Sequence, residues 1–226
     1  MVRSRGFTLI ELVMVIILLG IVATISVQFV ALSMRGALDV SERQKRALKG
    51  VVVSERLTRE LRGAVPGSVN VNSSGNCISF LPAVAGGIYK PKESGAGYEP
   101  VNEVSGLTAV IASPSGGVNP IDDVTDPSMT SPESRLYYVE APVRFSWSGG
   151  RLYRQTLSDL GDGCSTVDSG EQVLVTSIGP SETGRFFESE TPTIRNNSLI
   201  HFSFVIDPDS GEPLSFSQTL QVRNVP

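Results

Sequence analysis

The sequence predicts an α+β fold in which one long N-terminal helix packs on a C-terminal antiparallel β-rich domain. Three observations carry that expectation. All 14 prolines of the 226-residue chain lie at or beyond Pro66, with 17 of its 22 glycines, so the first 65 residues contain no proline to interrupt a helix. That arm holds an uncharged apolar run followed by an apolar stripe at helical spacing. Beyond it, short apolar or alternating segments recur between turn residues.

Composition narrows the class. Charged residues are 19% and hydrophobic residues 40%, which excludes a disordered polyelectrolyte and a multi-span membrane protein. The net charge of −4 is unevenly spread. Arg35 to Arg62 holds eight basic and four acidic residues, net +4, whereas Pro66 onward holds nine basic and eighteen acidic, net −9. An acidic C-terminal body argues against nucleic acid as a partner. One histidine, His201, and two cysteines supply too few ligands for a zinc finger or ribbon.

The arm opens with a short basic segment, Met1 to Gly6, including Arg3 and Arg5. An apolar run starts at Phe7, and the 23 residues from Leu12 to Met34 carry no charge. As a helix they would span roughly 35 Å, enough for a bilayer core of about 30 Å. An ordinary signal peptide fits poorly, because its apolar region runs only about 7–15 residues. A small-residue cleavage site is not obvious either, apart from Ala23–Ser26. A plain signal anchor fits better, but Glu11 does not suit one. A carboxylate at the centre of a membrane helix costs about 2.5–3.5 kcal/mol, and less near the end. No Lys or Arg lies within one turn downstream. The candidate cation is an α-amino group: a cut after Gly6 would put one on Phe7 and make Glu11 the fifth residue of the product.

Gly6-Phe7-Thr8-Leu9-Ile10-Glu11, with a basic leader before it and an apolar helix after it, closely resembles the type III signal of type IV prepilins and type II secretion pseudopilins. The resemblance covers the head of the chain and says little about the rest. It implies a type IV pilin-like fold: residues 1–6 as prepilin leader, 7–34 as transmembrane and filament-core helix, 35–65 as amphipathic helix, and 66–226 as a periplasmic β-rich globular domain. It also implies cleavage between Gly6 and Phe7 by prepilin peptidase, N-methylation of Phe7, and a subunit-docking role for Glu11. The expected partners are prepilin peptidase, the inner membrane, and other pilins or minor pilins through the helix. The expected location is the bacterial inner membrane, single-pass, with the N-terminus cytoplasmic, and from there the pilus. No enzymatic activity, catalytic residue, metal or cofactor is expected.

One count opposes that topology. The leader offers two arginines, while the distal flank from Arg35 to Lys49 offers five basic residues against two acids. A plain positive-inside count would keep the body in the cytoplasm, although long domains can cross despite flanking charge. The resemblance and the cysteines favour export.

The amphipathic part shows Ala37, Val40, Ala47, Val51, Leu57, Leu61 and Val65 in one stripe, with Gln44 and Ser54 in its gaps. Glu42/Arg46 and Glu55/Arg59 have the favourable acid-first i,i+4 spacing. Gly63, Pro66 and Gly67 end the helix. The strands expected beyond it are Cys77–Leu81, Leu107–Ile111, Leu136–Val139, Val143–Trp147, Arg151–Gln155, Gln172–Thr176, Leu199–Ile206 and Leu214–Val222. Ser148-Gly149-Gly150 reads as a hairpin turn, and Asp207–Pro213 as the link of the last pair. Ser113 to Ser134 reads as a surface or partly disordered loop.

Cys77 and Cys164 are the only cysteines. In the periplasm implied by the resemblance they would form one disulfide, worth roughly 4–5 kcal/mol at most in the entropic account. Two buried free thiols are the alternative. Asp122-Asp123…Asp126, Asp159…Asp162 and Asp207…Asp209 have oxygen-rich spacing but match no EF-hand, and such clusters are ordinary turn formers. His201 alternates with apolar neighbours and reads as structural. No nucleophile elbow, phosphate loop or zinc-protease motif occurs.

Within the resemblance, Gln28 stands where major pilins often carry a helix-kinking proline, which points to a minor component. Asn76–Pro82 and Gln221–Pro226 look like minor pilins of mannose-sensitive haemagglutinin (MSHA) pili, which are themselves similar to J-type pseudopilins. Glu11 argues against the K-type. The expected function is a structural minor pilin with a part in priming assembly. The alternatives are a J-type pseudopilin of a type II secretion system and, in another class, a membrane-anchored periplasmic enzyme or receptor.

Overall fold

A computed structural model describes residues 8–113, 117–127, 130, 134–158, 163–164, 172–181, 183–190, 198–206 and 213–222. It shows one long helix followed by antiparallel sheets, an α+β, type IV pilin-like layout. The chain divides into two compact units, Met1–Ala47 and Leu48–Pro226.

Helix α1 runs Leu9–Arg62, 54 residues without a proline. Its part within the first unit is helix alone. Leu9, Ile10, Ile16, Leu18, Phe29 and Leu32 are all more than half exposed. The part from Leu48 belongs to the second unit and turns one face to the sheets through Gly50, Val53, Leu57 and Leu61, spaced by three and four residues. The last turn tightens as Gly63 N donates to Glu60 O and Ala64 N to Leu61 O. Two further bonds pin the exit, from Val65 N to Leu81 O and from Ala83 N to Gly63 O, both 2.8 Å.

The buried face corrects the sequence reading at two positions. Val51, expected in the stripe, is 44% exposed, and Val53 with Gly50 takes its place. A stripe extrapolated from Ala47 by fours runs off the contact line, because the sheet selects the face and Gly50 gives no apolar signal. The expected Glu55–Arg59 pair is also absent among the described ion pairs. Glu60 is the paired acid instead, with Arg56 at 3.1 Å and Arg154 at 2.8 Å. The Glu42–Arg46 pair is present at 3.3 Å.

Three sheets follow, all antiparallel among the described strands. The first has the order β1 (Asn70–Val71), β2 (Cys77–Phe80), β8 (Val143–Ser148), β9 (Arg151–Thr156), β10 (Gln172–Thr176). Strands β8 and β9 are joined by Gly149 and Gly150 at φ 56° and 75°, the paired positive values of a two-residue hairpin that favours glycine at both positions. In the second sheet, β13 (Ser198–Ile206) pairs on one side with β11 (Ile178–Pro180) and β12 (Phe187–Glu190). On its other side it pairs with β14 (Leu214–Val222) over their full length, from Ser198↔Val222 to Ile206↔Leu214. The link between β13 and β14 lies outside the described residues up to Pro213.

The third sheet has the order β4 (Tyr98–Pro100), β3 (Ala83–Pro91), β7 (Arg135–Val139), β5 (Thr108–Ala112), β6 (Val118–Pro120). It carries a second core of Tyr89, Ile111, Ile121, Val124, Leu136 and Tyr138. The stretch expected to be loop between Ser113 and Ser134 therefore contributes β6 and a 3-10 turn, Ile121–Asp123, with Ile121 and Val124 buried. Two apolar side chains among prolines and aspartates were enough to anchor it.

The main core joins the first two sheets to the helix. Phe80 and Phe145 come from the first sheet, and Phe187, Phe202 and Phe204 from the second; each is completely buried, as are Leu57 and Leu61. Ring contacts run from Phe187 to Phe186 at 4.8 Å, Phe186 to Phe204 at 5.4 Å, and Phe204 to Phe216 at 5.2 Å. Such pairs contribute about 0.5–1.5 kcal/mol each beyond area burial. The indole of Trp147 donates to Ile178 O at 2.7 Å, tying β8 to β11.

Candidate functional site

Of the residues expected to be functional, Glu11 lies at the head of α1 and Cys77 on the first sheet, bonded to Cys164. Gly6 and Phe7 lie outside the described residues. Glu11 stands in the first turn of α1, where Leu12 N donates to Thr8 O at 3.2 Å. An acid there faces the unsatisfied amide ends of the helix, which favour negative charge by roughly 0.3–1 kcal/mol. Its side chain is exposed, like every residue from Leu9 to Val40. This is the one described helix long and apolar enough to cross a membrane, and none of its most apolar window is buried. An apolar surface of that extent calls for lipid or protein around it.

Cys77 and Cys164 are joined in a disulfide, with Cα atoms 5.8 Å apart. Register explains what the bond does. Cys77 lies opposite Ser146, and Ser79 opposite Arg144, on the face of the first sheet that points away from α1. Arg144 is 1% exposed, with its guanidinium donating to Gly163 O at 3.2 Å and to Gln155 Oε1. Gly163 is the residue before Cys164, so the disulfide holds in place a carbonyl that satisfies a buried cation. A buried guanidinium without such acceptors would be strongly destabilising. Sequence reading missed Arg144. Its only sign is a cation between Val143 and Phe145 in an otherwise apolar strand.

The helix-facing side of β14 was also missed. Ser54 and Thr58 both donate to Gln218 Oε1, at 2.8 and 3.0 Å. Next to them Gly50 lies under the Phe216 ring: a Cβ there would come within 2.0 Å of the ring carbons. The sequence signal was a glycine inside a helix, which costs about 1 kcal/mol and so calls for a packing reason.

His201, half-buried on β13, has Nδ1 3.0 Å from Thr219 Oγ1. Asp122 pairs with Lys92 at 3.7 Å. Asp159, Asp162, Asp207 and Asp209 lie outside the described residues, and no metal-ligating cluster occurs among those described. Burial pushes the Tyr137 phenol above its usual range, and the Arg135 guanidinium offsets part of that rise.

No curated protein and no solved structure matches the chain. Its head does match a known family: residues 1–27 fit the prokaryotic N-terminal methylation motif, which supports a type IV pilin- or pseudopilin-like protein.

Proposed function

We propose that the chain is a minor pilin, a structural and assembly subunit of an MSHA-like type IV pilus with a part in priming assembly. The observation that carries this reading is the methylation motif at residues 1–27 running into an apolar helix whose most apolar window is exposed. The similarity of Asn76–Pro82 and Gln221–Pro226 to the minor pilin MshO, and Gln28 in place of a kinking proline, support the finer assignment. In this reading residues 1–6 are the leader, 7–34 the membrane and filament-core helix, 35–65 the amphipathic helix and 66–226 the periplasmic domain. Prepilin peptidase cuts between Gly6 and Phe7, Phe7 is methylated, and Glu11 faces the amino terminus of a neighbouring subunit. A J-type role in a type II secretion system shares the same head and the same similar segments. Co-purification with pilus rather than secretion components separates the two.

Cleavage is the decisive test. Intact mass and N-terminal sequencing of the membrane-extracted protein should give a mature chain that starts at methylated Phe7. Replacing Gly6 with a bulky residue should leave the full precursor in the membrane. A start at Ser26, or an uncut wild-type chain, would sink the pilin reading.

A further inference from the structure

The outer strands of the three sheets are protected unequally. An open edge exposes a row of unpaired backbone N–H and C=O groups, and folded proteins blunt it with shortness, charge, proline or a bulge. Strand β1 has two residues. Strands β4, β6 and β11 have three each and end at Pro100, Pro120 and Pro180. Strand β10 carries a register shift between Val173 and Val175. Strand β12 is four residues long and bears Glu188 and Glu190. Strand β14 has none of these devices. It is nine residues, Leu214–Val222, without a charge, a proline or a bulge, and no described residue pairs with its second edge.

The side chains beside that edge are not neutral. The two flanks of the helix segment meet different strands: Glu60 reaches Arg154 of β9, while Ser54 and Thr58 reach Gln218 of β14. The β14 flank continues into Glu55, Arg59 and Arg62, which line an open groove with Thr58 and Gln218. Arg62 also borders a second hollow with Arg135, Tyr137 and Gln221, further along β14. Arg59 and Arg62 make no ion pair with any described residue. Arg59 and Arg62 against the single acid Glu55 therefore border the open strand, whereas the residues from Pro66 onward sum to −9.

We propose that the open edge of β14 is a strand-addition site that takes an extended acidic segment of another protein chain, its backbone pairing with Leu214–Val222 and its carboxylates meeting Arg59 and Arg62. Main-chain bonds along the edge supply affinity, and the flanking cations select the sign of the incoming side chains. The alternation of a strand places every second residue of the incoming segment on the arginine side, so an acid at every second position fits. The inference goes beyond the prepilin reading and stands without it.

The test uses the full chain in detergent micelles and three short synthetic peptides. One alternates Val and Glu, one alternates Val and Lys, and one repeats the Val/Glu sequence with alternate backbone amides N-methylated. Fluorescence anisotropy reads binding, and hydrogen exchange reads protection of Leu214–Val222. The Val/Glu peptide should bind at least about tenfold tighter than either control and slow exchange in β14. The exposed double substitution Arg59→Glu/Arg62→Glu should remove that preference. Equal binding of the N-methylated peptide would overturn strand pairing, and equal binding of the Lys peptide would overturn the charge selection. No binding of any peptide, or binding that leaves β14 exchange unchanged, would overturn the site.

Discussion

From Leu9 to Val40, α1 exposes its apolar side chains in every direction, and from Leu48 to Arg62 it buries Gly50, Val53, Leu57 and Leu61 on one side. The backbone geometry is the same in both stretches, and the difference lies in what completes them. The later stretch is completed by the chain's own sheets, so its side chains were selected for fit to particular neighbours. The earlier stretch has no such neighbours among the described residues, and Glu11 is its only charge before Arg35. Substitutions in the later stretch should therefore be read out in the stability of the body, and those in the earlier one in assembly.

The contrast can be broken most directly at Leu57. Leu57→Ala should destabilise the body by about 2–5 kcal/mol, as expected for a fully buried leucine. Leu18→Ala should leave it within about 0.5 kcal/mol. Urea unfolding of the full chain in detergent, followed by the fluorescence of its one tryptophan, Trp147, measures both. Equal effects at the two positions would erase the distinction.

Replacing Cys77 and Cys164 together with Ser should cost about 2–5 kcal/mol by the same assay. The double variant should also release the segment over Arg144, seen as faster exchange around Gly163. Wild-type stability without the bond would mean that Gly163 stays seated over Arg144 by other contacts.

Glu11→Ala sharpens the other side of the comparison. Cleavage, membrane anchoring and the unfolding midpoint of the body should not change. In the proposed pilus, incorporation into sheared pili should fall by about tenfold or more, because a neighbour's amino terminus would be left buried without its partner. Assembly at wild-type level would remove any docking role from Glu11. The smallest effect is expected at Ser79, whose hydroxyl is buried with no hydrogen-bond partner among the described residues. Ser79→Ala should be neutral or stabilise by less than about 1 kcal/mol.

The strands with β-branched or aromatic alternation were legible from sequence, and all eight expected segments are strands. Strand β3 was not, because Gly86, Gly87 and Pro91 read as breakers. Gly87 is there for space, since a Cβ would meet Leu136 at 2.9 Å. Strand β12 has one apolar residue among acids and serine, too weak a pattern to register before β13 pairs with it. The methylation motif at the head was readable because its pattern is local: a glycine, a phenylalanine and an acid close together in sequence. Arg144, Gly50 and Gln218 were not, because each depends on a residue at least eleven positions away, from Gln155 to Phe216 and Ser54.

The contact between Gly50 and Phe216 also sets a phase. Moving the Leu48–Arg62 segment by one residue would turn it by ~100° and bring Lys49 or Val51 under the ring. A slip of one full turn would bring Arg46 or Ser54 there. Each of those residues has a Cβ, and at Gly50 a Cβ has no room. The ring and the bare backbone thus act as a key and keyway, so this stretch of helix has one azimuth and one axial position on β14.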